Sequence, residues 1–204
     1  PKWGNKMKGL LVWKYLVKKE SKEIRKADFV LTVTNEIANR LQSNNSLNST
    51  PTVLHNYPVN FQLKPKEKYF HQKYNFPNDD TLIIHSGTIY HTDEQLIDLF
   101  NLMTSIDSLR LIFIGNRPRF YEVQKMIANS EKWKKSIFFH DYLNDQESNI
   151  NLIASGDIGL LHVRDLWEAH KITFSNRFVE YIMANLPVIG TPQNFTKEIN
   201  DSFN

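Results

Sequence analysis

Arg177 and Glu180 stand three residues apart within Ser175-Asn176-Arg177-Phe178-Val179-Glu180-Tyr181, so on a helix they share a face. Ser175 is of a type that caps helix starts. Such a start offers free amide hydrogens and the positive end of the helix dipole to an anion. An Arg on the same turn would add a charged fork suited to a phosphate, and the Glu180 carboxylate, one turn further in, could accept hydrogen bonds from sugar hydroxyls. The same two residues could equally form an ordinary surface ion pair, worth only a few tenths of a kcal/mol. Leu186 to Ile189 follows as a short apolar run that reads as a buried strand.

Arg117, Arg119, Arg164 and Lys171 are further cations near the ends of apolar runs. Together with Arg177 they would suit a diphosphate, whose charge is stabilised by preorganised donors and positive side chains; Arg177 ranks first among them and Arg119 last. Other chemistries find little support. No two of the seven glycines stand at G-x-G spacing and no G-x-x-x-x-G-K-[ST] is present, which excludes the two common phosphate loops. Asp79 and Asp80 are adjacent rather than spaced as D-x-D. His85, His91, His140 and His162 fall at or near strand ends without the H-x-x-x-H spacing of a zinc site, and most of them read as loop or core histidines, so no metal ligands are assigned. There is no G-x-S-x-G elbow and no Cys, hence no thiolate nucleophile and no disulfide scaffold.

The elements that must position these residues alternate. Phe29 to Val33, bounded by Thr34-Asn35, reads as a buried strand, Glu36 to Leu41 as a short helix, Ser43 to Ser49 as a polar loop and Thr52 to Leu54 as a strand. The stretch to Asp80 carries Pro58, Pro65 and Pro77 and no sustained periodicity, so residues 59–80 are read as a linker between a domain at 1–58 and one at 81–204. In the second domain the strands are Thr81 to His85, Leu109 to Ile114, Ile137 to Phe139, Ile158 to Leu161 and Pro187 to Gly190. Helices are expected from Asp93 to Met103 behind a Thr92/Gln95 capping box, from about Phe120 to Asn129, to Ala154 behind an Asn144/Glu147 box, and from Ser175 to Ala184. Near-continuous apolar strands separated by helices predict a Rossmann-like parallel α/β sheet covered on both faces. Ligands of such sheets bind beyond the strands' carboxyl ends, so residues 85–90, 115–119, 140–142 and 162–165 should line one crevice.

With 204 residues, 41% hydrophobic and 23% charged, the chain is long enough for one or two ordinary cores and is not of disordered composition. Residues 1–26 hold nine of the 25 Lys and Arg against Glu20 and Glu23. Leu10, Trp13, Val17 and Ile24 recur there at helical spacing, so residues 6–26 read either as a helix lying on an anionic membrane surface or as one packed on its own domain. No apolar run approaches a membrane span and no cleavable leader is evident, which is the basis for expecting a cytoplasmic protein, peripheral at most to the inner face of the membrane. A nucleic-acid partner is not expected, for want of a C-x-x-C finger or an RNP-like pattern.

Several of these segments together resemble the GT-B glycosyltransferases of the large retaining class that includes bacterial polysaccharide and lipopolysaccharide enzymes. Ala27-Asp-Phe-Val-Leu-Thr-Val-Thr34 and Val53-Leu-His-Asn-Tyr-Pro58 are similar to the end of that family's acceptor domain. Ser86-Gly-Thr88, Ile112-Phe-Ile-Gly115, Ala154-Ser-Gly-Asp-Ile-Gly-Leu160 and above all Ser175-Asn-Arg-Phe-Val-Glu-Tyr181 with Leu186-Pro-Val-Ile189 are similar to its donor domain. The resemblance implies a nucleotide-sugar donor crevice lined by Gly87, Thr88, Gly115, Ser175 and Asn176. Arg177 would face the diphosphate, Glu180 would hold the ribose, and the loop carrying His140 and Tyr142 would lie beside the base. Arg177 and Glu180 are the implied catalytic residues. The implied reaction transfers a sugar from a nucleoside-diphosphate donor to a hydroxyl of a saccharide or lipid-linked acceptor, with retention and with neither metal nor cofactor, in cell-surface polysaccharide or glycolipid synthesis.

The sequence departs from the family pattern in the loop Gly87-Thr-Ile-Tyr-His-Thr-Asp-Glu94, which holds acidic residues where the family has cations, and at Ile172, where the family has a first Glu. The chain also reads as a donor domain with only the tail of an acceptor domain, so little turnover is expected of it alone. A catalytically silent binding or scaffold domain, and a nucleotide-sugar epimerase, are the alternatives.

Overall fold

Runs such as Leu82-Ile83-Ile84 and Leu111-Ile112-Phe113-Ile114 have apolar side chains on both faces of a strand, which only a sheet covered on both sides can bury. In the computed structural model, which describes residues 2–56, 63–162 and 175–191 and the side chains of these from position 10 on, that is how they are used. The described residues fall into two units, one up to Asn56 and one from position 63 on.

In the first unit, helix α1 (Lys2–Ile24) precedes strand β1 (Leu31–Thr32), helix α2 (Asn35–Asn45) and strand β2 (Thr52–Val53), with β1 and β2 parallel. Thr34 caps α2 by accepting from the Ile37 amide, and Ser46 ends it with left-handed φ 50°. The helix therefore runs into the stretch read as a polar loop. The strand expected over Phe29 to Val33 shrinks to two residues, because among the described residues the backbone there is paired only by β2. Phe29, Leu31 and Val33 are exposed rather than buried. On α1, Leu10, Leu11, Val12, Trp13, Tyr15, Leu16 and Val17 are all exposed. At 100° per residue they encircle the helix, so the one-sided apolar stripe of a membrane-surface helix is not what this segment carries.

The second unit holds helix α3 (Tyr69–Tyr74), strand β3 (Thr81–Ser86), α4 (Asp93–Met103), β4 (Leu109–Ile114), α5 (Pro118–Ala128), α6 (Glu131–Lys134), β5 (Ile137–His140), α7 (Gln146–Ala154), β6 (Ile158–Leu161), α8 (Asn176–Met183) and β7 (Val188–Gly190). Its five strands are all parallel in the order β5-β4-β3-β6-β7. Period-two alternation divides the core. Leu82, Ile84, Ile112 and Ile114 pack with Phe70, Ile150, Ile153 and Tyr181 on one face, while Ile83, Leu111 and Phe113 pack with Leu96, Phe100 and Val123 on the other.

Local chemistry explains most boundaries. Thr92 and Gln95 make the full capping box of α4. The cap of α7 is Asp145, whose carboxylate accepts from the Ser148 amide, and not Asn144, one residue earlier. The stretch read as a linker contains α3, and Phe70 is completely buried, because three aromatic side chains in one short helix find the core despite the flanking prolines. Ile189 is exposed on the short strand β7, where Leu186 to Ile189 had read as buried. Pro58 and the crevice candidates Arg164 and Lys171, with Ile172, lie outside the described residues.

Candidate functional site

From β3 the chain crosses to β4 on one side, while β6 lies on the other, so the connections diverge at the carboxyl ends of β3 and β6. A parallel sheet opens a crevice at such a point. Pairing between the two strands is short: Ile83 lies opposite Ile158 and Ile84 opposite Gly159. Beyond that, the chain leaves β3 through Gly87, whose φ of +80° is one that L side chains rarely adopt. The resulting loop lies under α8, and a Cβ on Gly87 would stand 3.5 Å from the Arg177 guanidinium.

Arg177 is half-buried and spans this gap. Its Nη2 donates to the Thr88 carbonyl at 2.6 Å, and its Nη1 lies 3.2 Å from His85 Nε2. A guanidinium has no acceptor, so His85 Nε2 accepts and the imidazole proton sits on Nδ1, a buried atom without a partner. Among the described ion pairs none joins Arg177 to Glu180, so the surface-pair alternative is not the arrangement adopted. Glu180 instead takes a hydrogen bond from the Tyr142 hydroxyl at 3.1 Å and a longer one from Ser86 Oγ at 3.4 Å. Burial raises the Glu180 carboxyl above its usual range; the Tyr142 hydrogen bond, the nearby Arg177 charge and Ser86 oppose that rise. Tyr142 is itself pushed well up, by burial first and then by the Glu180 charge.

The surroundings of the histidines behind Arg177 disfavour their charged forms. Burial, then the Arg177 and His91 charges, hold His85 well below its ordinary value. His91 is lowered to about 3 by burial, with His162, Arg177 and Arg119 adding to it. The His91 and His162 rings stack with centroids 4.0 Å apart, a face-to-face arrangement that does not converge ring nitrogens on one ion. Among the described residues no group of three potential ligands is placed to hold a metal.

The structure brings Gly87, Thr88, Tyr142, Arg177 and Glu180 together, with Ser175 and Asn176 at the start of α8. Asn176 is exposed. Ser175 occupies the cap position, but its side chain caps no helix amide. Gly115 is buried one strand over, where a Cβ would press to 3.2 Å from the Gly87 carbonyl, so it sets the floor of the loop. His140 is more closed than expected: Nδ1 lies 2.7 Å from the Asp141 carbonyl and Nε2 accepts from the Tyr69 hydroxyl at 2.9 Å, so both ring nitrogens are engaged within the protein. Arg119 does not face the crevice as a free cation. It pairs with Asp93 and with Glu122, which also answers the acidic loop, since the Asp93 carboxylate is matched by a guanidinium instead of facing a ligand. Arg117 is exposed at the start of α5.

Two residues of this site escaped the sequence reading. Tyr69 anchors His140 from α3, a helix the prolines concealed. Tyr181 sits fully buried under the crevice with its hydroxyl 2.9 Å from the Ser86 amide. The available signal was its position: a tyrosine in the buried stripe of a helix needs a polar partner for its hydroxyl.

No protein-family profile matches the sequence, and no curated protein matches it. Among solved structures, a glycosyltransferase from Rickettsia africae aligns with TM-score 0.59 at 18% identity, over 88% of this chain and 48% of its own. Sucrose-phosphate synthase from Thermosynechococcus elongatus aligns with TM-score 0.59 at 14% identity, over 90% of this chain and 46% of its own. The chain thus spans about half the length of each, and at these identities the likeness is one of fold.

Proposed function

We propose, from a fold shared with GT-B glycosyltransferases, that the crevice at the carboxyl ends of β3 and β6 binds the nucleoside-diphosphate sugar donor of a glycosyl transfer. The observation that carries this reading is the Glu180 carboxylate, kept at the crevice by Tyr142 and Ser86 one helical turn from Arg177 and a helix start that the Ser175 side chain does not cap. In this reading Glu180 accepts from ribose hydroxyls. Arg177 and the positive end of α8 face the diphosphate, where fixed positive groups stabilise the charge that grows as the glycosidic bond breaks. The departing phosphate takes the acceptor's proton, and the sugar is transferred with retention and without a metal. A saccharide or lipid-linked acceptor, a cytoplasmic setting and a cell-surface polysaccharide or glycolipid product belong to the same proposal.

A catalytically silent domain of the same fold is the second reading. It is favoured by the bonds that already occupy Arg177, one to Thr88 and one to His85. Calorimetric titration with UDP, GDP and ADP separates the two. The donor reading expects one nucleotide to bind selectively and Glu180→Ala to weaken it by at least about tenfold, the scale of a lost charge-assisted hydrogen bond. Absence of binding by all three to a folded chain would turn the assignment to the silent domain.

A further inference from the structure

Parallel strands are held by evenly spaced ladder hydrogen bonds, and prising two of them apart leaves main-chain groups that must be satisfied elsewhere. Between β3 and β6 the ladder stops at Ile84 and Gly159. Three main-chain groups at and just beyond its end meet one side chain. The Tyr181 hydroxyl accepts from the Ser86 amide at 2.9 Å and lies 3.0 Å from the Ile84 carbonyl and 3.1 Å from the Leu160 carbonyl, so its single proton is shared between two acceptors. The ring lies against Gly159, where a Cβ would come within 2.5 Å of it. Tyr181 follows Glu180 on α8, and the residue it grips, Ser86, is the one whose hydroxyl reaches Glu180.

We infer that Tyr181 is the positioning residue of this site: its phenol is a spacer that holds β3 and β6 apart at their carboxyl ends, replaces the missing ladder, and sets the rotation of α8 so that Glu180 and Arg177 face the opening. The binding part of this inference rests on the donor-site reading; the spacer part does not. Gly159 is bare because the ring occupies the place of its side chain, and Ser86 joins the site through both its amide and its hydroxyl.

Tyr181→Phe keeps the ring and removes the hydroxyl. Amide hydrogen exchange followed by NMR on the whole chain is expected to show the Ser86 amide losing about tenfold or more of its protection relative to the amides of β4, the factor a lost buried hydrogen bond corresponds to. A fall at Ser86 only in step with the β4 amides would overturn the spacer. The same variant is expected to bind the nucleotide that the unaltered chain selects about tenfold more weakly; unchanged affinity together with selective loss at Ser86 would overturn the aiming of α8. If the unaltered chain binds no nucleotide, the donor reading fails while the Ser86 exchange still decides the spacer. Should Tyr181→Phe not fold, the unaltered chain labelled at tyrosine Cζ answers the same question. A slowly exchanging Tyr181 hydroxyl proton with a cross-peak to the Ser86 amide supports the spacer, and a rapidly exchanging one overturns it.

Discussion

Taking the pH from 6.5 to 4.5 is expected to destabilise the five-stranded unit by about 2 kcal/mol through His91, with His85 acting in the same direction. Both imidazoles are buried and held below their ordinary 6.5, His91 to about 3. In the unfolded chain both take up a proton near that ordinary value. Well above pH 6.5 neither state is protonated and the dependence fades. Below it the unfolded chain binds a proton at His91 that the folded one refuses until about pH 3, so stability falls by up to about 1.4 kcal/mol per pH unit, and His85 adds to the fall. Glu180, whose carboxyl is raised in the fold, works the other way at the acid end and returns part of the loss. Domains are stable by about 5–15 kcal/mol in all, so the His91 share alone is a sizeable fraction of the total. Urea midpoints measured at pH 7.5, 6.5, 5.5 and 4.5 give the slope. Replacing both residues by phenylalanine should flatten it, and an unaltered chain that keeps its midpoint to pH 4.5 would sink the account.

Arg110→Met is expected to cost about 3–5 kcal/mol, the scale on which removing one partner strands a buried charge. The side chain of Asp80 is 5% exposed and that of Arg110 15%. Their Oδ2 and Nη2 stand 2.8 Å apart, a close charge contact whose geometry is not that of a directed hydrogen bond. Arg110 donates in addition to the Asp107 and Leu109 carbonyls and lies over the Phe76 ring. Without it, the Asp80 carboxylate stays buried at the entry to β3 with no cation. Because burying two charges is itself unfavourable, the double variant Asp80→Leu with Arg110→Met should regain most of the loss. Chemical denaturation checks both. A cost below about 1 kcal/mol for the single variant, or a double variant no better than the single, would show that the pair is not buried as described.

The parts of this fold that were legible in the sequence are those governed by neighbours a few residues away. Thr92 and Gln95 make the box their spacing implies, and the apolar run Leu109 to Ile114 is β4 to the residue. Caps and ends that depend on the angle at which a chain arrives were read less well. Asp145 rather than Asn144 meets the α7 amides, and Ser175 meets none of those at α8. α3 was missed because its evidence is tertiary: Phe70 and Tyr74 form a helix by finding Ile84 and Phe138 in the core, while local composition points to a loop. At the candidate site, Arg177 and Glu180 are recognisable as a pair on one face, and Thr88 and Tyr142 as residues of the same crevice, but not which group each would bond. His85 and Ser86 lie more than ninety positions earlier, and only the strand order brings them under α8. The Tyr181 ring is core, and its hydroxyl has a structural task that residue spacing does not announce.

The same strand order decides when the crevice comes into being during synthesis. A ribosome releases β3, β4 and β5 first, and these three can pair as they emerge. The other side of β3 must wait for β6, and Ser86, His85 and Thr88 must wait longer still, for α8. Until the last of these segments is free of the exit tunnel, the nascent chain carries a half-sheet with one apolar flank uncovered, so the central strand of the finished sheet is the edge strand of the growing one.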